Sequence, residues 1–248
     1  MSSSINQDHM IDPPIVKKFK TNDGKIQTVT NTANIYISEH KVNRQRRGKT
    51  LDTSGKFRGC IVWFTGLSGA GKSTISMGVE EELVSRGISC YCLDGDNLRA
   101  GLCKDLTFSL DDRNENIRRA IEAAILLADS GQVVLCSLIS PNREERGNAR
   151  GLARNAKLPF FEVYIDTPLE VCEERDTKGL YRKARNNEIK DFTGIHQEYE
   201  KPNKPELTLE TVNRQVEACV NDVVQLLQSG VRNSRNTNCE LIMTFFKC

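Results

Sequence analysis

The sequence has no uninterrupted apolar run near the roughly 18 residues that a membrane-spanning helix needs, and its start, MSSSINQDHM, has no signal-peptide core. The expectation is a soluble, cytoplasmic chain with no membrane partner. Neither charge is in excess: 35 basic against 33 acidic residues leave +2. That excludes a protein whose main task is coating nucleic acid or an anionic membrane, so any anion binding must be local. Nine cysteines include no C-x-x-C pair. Cys60, Cys90, Cys92 and Cys136 fall inside apolar runs, the pattern of reduced packing residues in a reducing compartment. No internal repeat of solenoid length is visible. What is present, 248 residues with 38% apolar and 27% charged side chains, is an ordinary globular composition sized for one α/β unit with appendages.

Residues 1–58 are polar and show no sustained period of 2 or 3.6, so they read as an N-terminal arm. Within it KVNRQRRGK (41–49) is a basic run, read either as a solvated stretch or as a nuclear-import or phosphate-contacting segment. From Cys60 to Gly230, apolar runs of strand length alternate with segments of helix length, which is the signature of βαβ units. The runs are CIVWFTG (60–66), CYCLDG (90–95), VVLCSLIS (133–140), FFEVYID (160–166) and LTL (207–209). Their continuous apolarity predicts strands covered on both faces, hence a parallel sheet.

Ile75, Val79 and Leu83 space a helix that ends near Gly87. Ser109 with Asp112 three residues on opens another, which stops before Gly131. Ser140 and Pro141 read as cap and first position of a third, and Val212, Val216, Val220, Val224 and Leu227 as the stripe of a last one. Residues 59–230 thus read as one three-layer α/β domain with a central, mostly parallel sheet. Residues 231–248 form a tail with no assignable period.

GLSGAGKS, Gly66 to Ser73, matches G-x-x-x-x-G-K-[ST] in full, directly after an apolar strand and opening an amphipathic helix. Gly66, Gly69 and Gly71 let the backbone bend and turn N–H groups inward, and the helix N-terminus adds its own. A dipole contact contributes about 0.3–2 kcal/mol, too little for tight binding alone. Lys72 supplies a full charge for the β- and γ-phosphates of ATP, and Ser73 a hydroxyl for Mg²⁺.

Switch GTPases and motor ATPases share this loop. A switch would need D-x-x-G and N-K-x-D after it, whereas DTSG (52–55) precedes it and NKPE (203–206) has Glu for Asp. Motors carry a strand ending in an acid, whereas VVLCSLIS ends in Ser and Pro. The acid comes instead from LDGDN, where Asp94 and Asp96 flank Gly95 at the sheet edge. One carboxylate there can hold Mg²⁺ through water while the other takes the proton of an acceptor hydroxyl.

Arg99, Arg113 and Asn116 beside them describe a pocket for an anionic acceptor. Downstream, Arg175, Lys178, Arg182, Lys183, Arg185 and Lys190 suggest a basic lid that excludes water. Phe108 and Phe192, in polar loops, are positioned to stack on a base. For each group the plainer alternative stays open: an exposed Asp-Gly turn, surface helix charges, a solvated face, rings packed under loops.

GLSGAGKST, LDGDN, DRNENIRR, LISP, RDTKGLYRKAR, FTGI and EYEKP, in this order, resemble adenylyl-sulfate kinase, the domain that is N-terminal in animal bifunctional PAPS synthases. The resemblance covers about residues 34–228. It implies a P-loop kinase fold, a homodimer, and transfer of the ATP γ-phosphate to the 3′-hydroxyl of adenosine 5′-phosphosulfate. It assigns the nucleotide phosphates to Gly69, Ala70, Gly71, Lys72, Ser73 and Thr74. Arg175 and Cys219 join them on the nucleotide side, Cys219 near the base.

The acceptor falls to Asp96, Asn97, Leu98, Arg99, Phe108, Arg113, Asn116, Ile139, Ser140 and Lys178, with Phe192 as the second half of an aromatic clamp. Ser140 matches a serine phosphorylated in some relatives and reads here as acceptor-site packing and helix cap. Asp191, His196 and Arg214 depart from the family pattern, where Gly, Asp and, in animal enzymes, Cys are usual. A fused synthase would begin a sulfurylase domain near Gly230. The expectation is therefore either an ATP sulfurylase on a separate chain or a truncated product of a fused synthase.

Overall fold

The computed structural model describes residues 40–51 and 58–230 and the strands at 17–20 and 26–29. Lys17–Lys20 (β1) and Ile26–Val29 (β2) pair antiparallel and belong to a unit that ends at Asn43. The second unit begins at Arg44, inside what the sequence predicts to be arm.

Arg44–Leu51 form helix α1, in which Lys49 and Arg46 of the basic run are exposed while Arg44 and Arg47 are partly buried. The cause is Asp129: Arg44 Nε donates to its Oδ1 at 2.8 Å, and Arg47 pairs with the same carboxylate and donates to the Asp129 carbonyl at 3.1 Å. Arg44 also reaches the carbonyls of Ala156 and Lys157 at 2.6 and 2.9 Å.

Five parallel strands build the main sheet: β3 (Cys60–Thr65), β4 (Cys90–Asp94), β5 (Val133–Ser137), β6 (Phe160–Asp166) and β7 (Leu207–Glu210), in spatial order β4-β5-β3-β6-β7. Every residue of β3 and β5 is buried, as continuous apolar runs require in a sheet covered on both faces. α2 (Lys72–Ser85) and α8 (Val216–Gly230) cover one face. Cys60, Val62 and Phe64 of β3 meet Val79, Leu83, Val220 and Val224 there. α4 (Leu110–Ser130) and α5 (Arg143–Asn155) cover the other, over Ile61 and Trp63.

The capped helices form as their residues dictate. Ser109 Oγ accepts the Asp112 N–H at 3.3 Å, and Gly131 closes α4 at φ 110°. Gly87, at φ 72°, follows α2. Three shorter helices, α3 (Gly95–Ala100), α6 (Leu169–Arg175) and α7 (Leu180–Arg185), are only six or seven residues long, too short to print a helical period.

Two start positions need correction. α5 is capped by Asn142, whose side chain accepts the Glu144 N–H at 2.8 Å, and not by Ser140. The Ser140 hydroxyl is occupied, accepting from the buried Trp63 indole at 3.1 Å and donating to Thr65 Oγ1 at 3.0 Å. α8 starts at Val216, so Val212, 42% exposed, lies before it. The predicted tail 231–248 lies outside the described residues. Among the described residues no helix is long and apolar enough to cross a membrane.

Candidate active site

The chain runs from β3 out to β4, back to β5, and then across to β6 on the other side of β3. This reversal opens a crevice at the C-terminal strand ends, and the candidate residues gather there. Gly66 leaves β3 at φ 149°, where an added Cβ would stand 2.6 Å from the Ile165 carbonyl oxygen. Gly69, at φ 74°, would put one 3.1 Å from the Cys172 carbonyl. These contacts hold the loop against β6 and α6.

Lys72 folds back to donate to the carbonyls of Gly66 at 3.0 Å and Leu67 at 2.7 Å. It is 8% exposed, and burial pulls its ammonium down to about 8. A bound phosphate anion opposes that effect by restoring the charge. Nucleotide binding is therefore expected to take up a proton on Lys72 and to weaken as pH rises above about 8. Calorimetric titration in buffers of different ionisation enthalpy measures the uptake. Lys72→Arg should erase it, and an equal uptake in that variant would place the proton elsewhere.

Ser73 Oγ donates to Asp94 Oδ2 at 2.6 Å. Asp94 is buried at the end of β4, and its Oδ1 accepts the Asp96 N–H at 3.0 Å, capping α3. Asp96 is exposed and ion-paired with Lys178, which arrives between α6 and α7. A continuous polar path thus runs from the loop serine through Asp94 and Asp96 to Lys178.

Arg175 ends α6 and donates to the carbonyls of Gly69 and Ala70 at 3.4 and 3.3 Å and to Thr211. Thr74 is exposed on α2, and Cys219 is 1% exposed on α8, in the core cluster that also holds Ala70. Arg214 pairs with Asp222 at 2.5 Å.

On the acceptor side, Arg99 lies over the Phe108 ring, 4.3 Å to its centroid, and donates to the Thr107 carbonyl at 2.8 Å. Phe108 is 63% exposed. Arg113 is committed to the protein, donating to the carbonyls of Phe108 at 2.9 Å and of Asp191, and to Gln197 Oε1 at 2.8 Å. It ties together the two loops that carry the phenylalanines. Phe192 meets Tyr181 edge-on at 5.0 Å.

Asn116 is buried, with its Oδ1 unpaired among the described residues. Asn97 is exposed, and Leu98 turns into the α4/α5 core. The Ile139 carbonyl accepts the Thr65 hydroxyl at 2.8 Å.

Sequence reading missed the residues that pin this last loop. Arg146, 2% exposed, donates to the Ser140 carbonyl at 2.7 Å, to the Glu200 carbonyl at 2.6 Å and to Glu162 at 2.8 Å, while Tyr199 bonds Thr65 at 2.8 Å. Tyr199 and Glu200 fall inside the EYEKP motif, which signalled this segment without giving it a role, and the single Trp63 in a strand signalled an indole N–H in need of a buried partner.

The Adenylylsulphate kinase family model matches residues 58–210. The chain belongs to the adenylylsulphate kinase family. It is 51% identical over 197 residues to the adenylyl-sulfate kinase of Clostridium acetobutylicum, covering 79% of this chain and 95% of that protein. The structure of the Mycobacterium tuberculosis APS kinase CysC in complex with AMPPNP and APS matches with 53% identity and a TM-score of 0.68, over 69% of this chain and 99% of that one. The Bifunctional enzyme CysN/CysC of Mycobacterium tuberculosis is 54% identical over 173 residues, which is 70% of this chain but 28% of that protein. As an adenylyl-sulfate kinase this chain is a phosphotransferase of the P-loop α/β fold.

Proposed function

We propose that this adenylyl-sulfate kinase moves the γ-phosphate of ATP to the 3′-hydroxyl of adenosine 5′-phosphosulfate, giving PAPS and ADP, with Asp96 taking the hydroxyl proton. The observation that carries the reading is the path Ser73–Asp94–Asp96–Lys178. It joins a triphosphate cradle to an exposed carboxylate under a basic lid. Lys72 and the loop N–H groups hold the β- and γ-phosphates. Arg175 fixes the loop from outside.

Mg²⁺ fits the site, because Ser73 and Asp94 offer only oxygen donors 2.6 Å apart, the hard ligands that ion prefers. When bound it neutralises charge on the transferring phosphoryl group. Lys178 leaves Asp96 for the acceptor's charge, freeing the carboxylate. Phe108 and Phe192 hold the acceptor's adenine between them. A homodimer and a separate ATP sulfurylase that supplies the acceptor belong to the same reading.

The test is ADP release with adenylyl sulfate, gluconate, shikimate and nucleoside monophosphates offered in turn; turnover only with another acceptor overturns the assignment. Phe108→Ala is expected to raise the acceptor KM about tenfold, as loss of one base stack implies, with the ATP KM within about twofold. An unchanged acceptor KM would mean that the ring does not touch the acceptor.

A further inference from the structure

Besides Asn116, a second buried side chain at the crevice lacks a hydrogen-bond partner among the described residues. Ser137 ends β5, is 3% exposed, and its Oγ makes no hydrogen bond among the described residues. An unpaired buried hydroxyl costs about 1–3 kcal/mol, so a serine here is a liability unless something bound satisfies it.

Its position says what that is. Register sets Ser137 between Asp94 of β4 and Phe64 of β3. Along β5, Val133 and Leu135 enter the α2/α8 core, and Val134 and Cys136 the α4/α5 core. Strand alternation therefore turns Ser137 to the α2 side, from which Ser73 reaches Asp94 at 2.6 Å. β5 also neighbours the strand that feeds the phosphate loop, and so ends where a motor ATPase would carry its acid.

We propose that the Ser137 hydroxyl is an outer-sphere metal ligand, hydrogen-bonded to a water of the divalent cation that Ser73 and Asp94 hold. A cation of the Mg²⁺ type keeps several of its waters, and each needs an acceptor. A neutral hydroxyl serves one of them without adding a third negative charge beside Asp94 and Asp96. The inference rests on the metal site proposed above.

The test is Ser137→Ala, read by paramagnetic resonance of free Mn²⁺ in titrations of the protein–ADP complex. Asp94→Asn, whose amide oxygen keeps the α3 cap, runs alongside it. The expected result is a loss of about 5- to 20-fold in Mn²⁺ affinity, the worth of one hydrogen bond. Metal-free ADP affinity should stay within twofold and the nucleotide-free Tm should be unchanged or higher. If Ser137→Ala leaves Mn²⁺ affinity within twofold while Asp94→Asn lowers it, the inference is overturned and the metal site stands. If neither substitution changes it, the metal reading itself falls. A lower Tm with unchanged Mn²⁺ affinity makes Ser137 a packing residue and also overturns the inference.

Discussion

Lys72→Ala is expected to lower the rate of phosphoryl transfer by at least about a thousandfold, which corresponds to about 4 kcal/mol of transition-state stabilisation. The size follows from where the ammonium is. It is buried and already held by the carbonyls of Gly66 and Leu67, and in the proposed reading it acts on a phosphoryl group whose charge is redistributed during transfer. A preorganised charge in a site that excludes water acts at low dielectric and needs no reorientation as the reaction proceeds. Alanine also removes the Lys72 donor from the Gly66 carbonyl, while the Leu67 carbonyl keeps the Ala70 N–H at 3.2 Å. Rapid-quench measurement of ADP formation, with circular dichroism to verify folding, checks the effect. A folded variant retaining more than about a tenth of the rate would remove the loop from the chemistry.

Asp96→Asn should divide the effects differently. A positioned general base contributes about 10²- to 10⁴-fold, so kcat should fall within that range. ATP affinity should change by less than about threefold, because Asp96 touches Lys178 and not the phosphate loop. The substitution conserves volume, and the N–H that caps α3 on Asp94 is backbone, so the local fold survives. Equal losses in kcat and ATP affinity would mean that Asp96 shapes the donor site.

Which features were legible in the sequence follows from how each is stabilised. β3 and β5 were, because a strand buried on both faces can hold only apolar residues. α4 was, because 21 residues of period 3.6 lie between a serine cap and a left-handed glycine. The phosphate loop was, because its glycines answer backbone contacts as close as the Ile165 carbonyl at 2.6 Å.

α1 was not legible, since Arg44 and Arg47 depend on Asp129, which lies more than 80 residues away. The cap at Ser140 was misplaced for a similar reason: local pattern cannot know that a buried indole claims the hydroxyl. The site was half legible. Asp94 and Asp96 stood out as a pair, yet only topology brings β4, two strands from β3, close enough for Ser73 to meet Asp94. Arg113 read as an acceptor contact, and its guanidinium ties together the two loops that carry the aromatic rings.

The most direct measurement follows one atom. ATP labelled in its γ-phosphate is mixed with the protein, Mg²⁺ and adenosine 5′-phosphosulfate, and the products are separated within the first turnovers. Label at the 3′ position of the sulfated nucleotide, formed one-for-one with ADP, is the predicted result. Label released as inorganic phosphate, or left in ATP by a folded, nucleotide-binding protein, would contradict it.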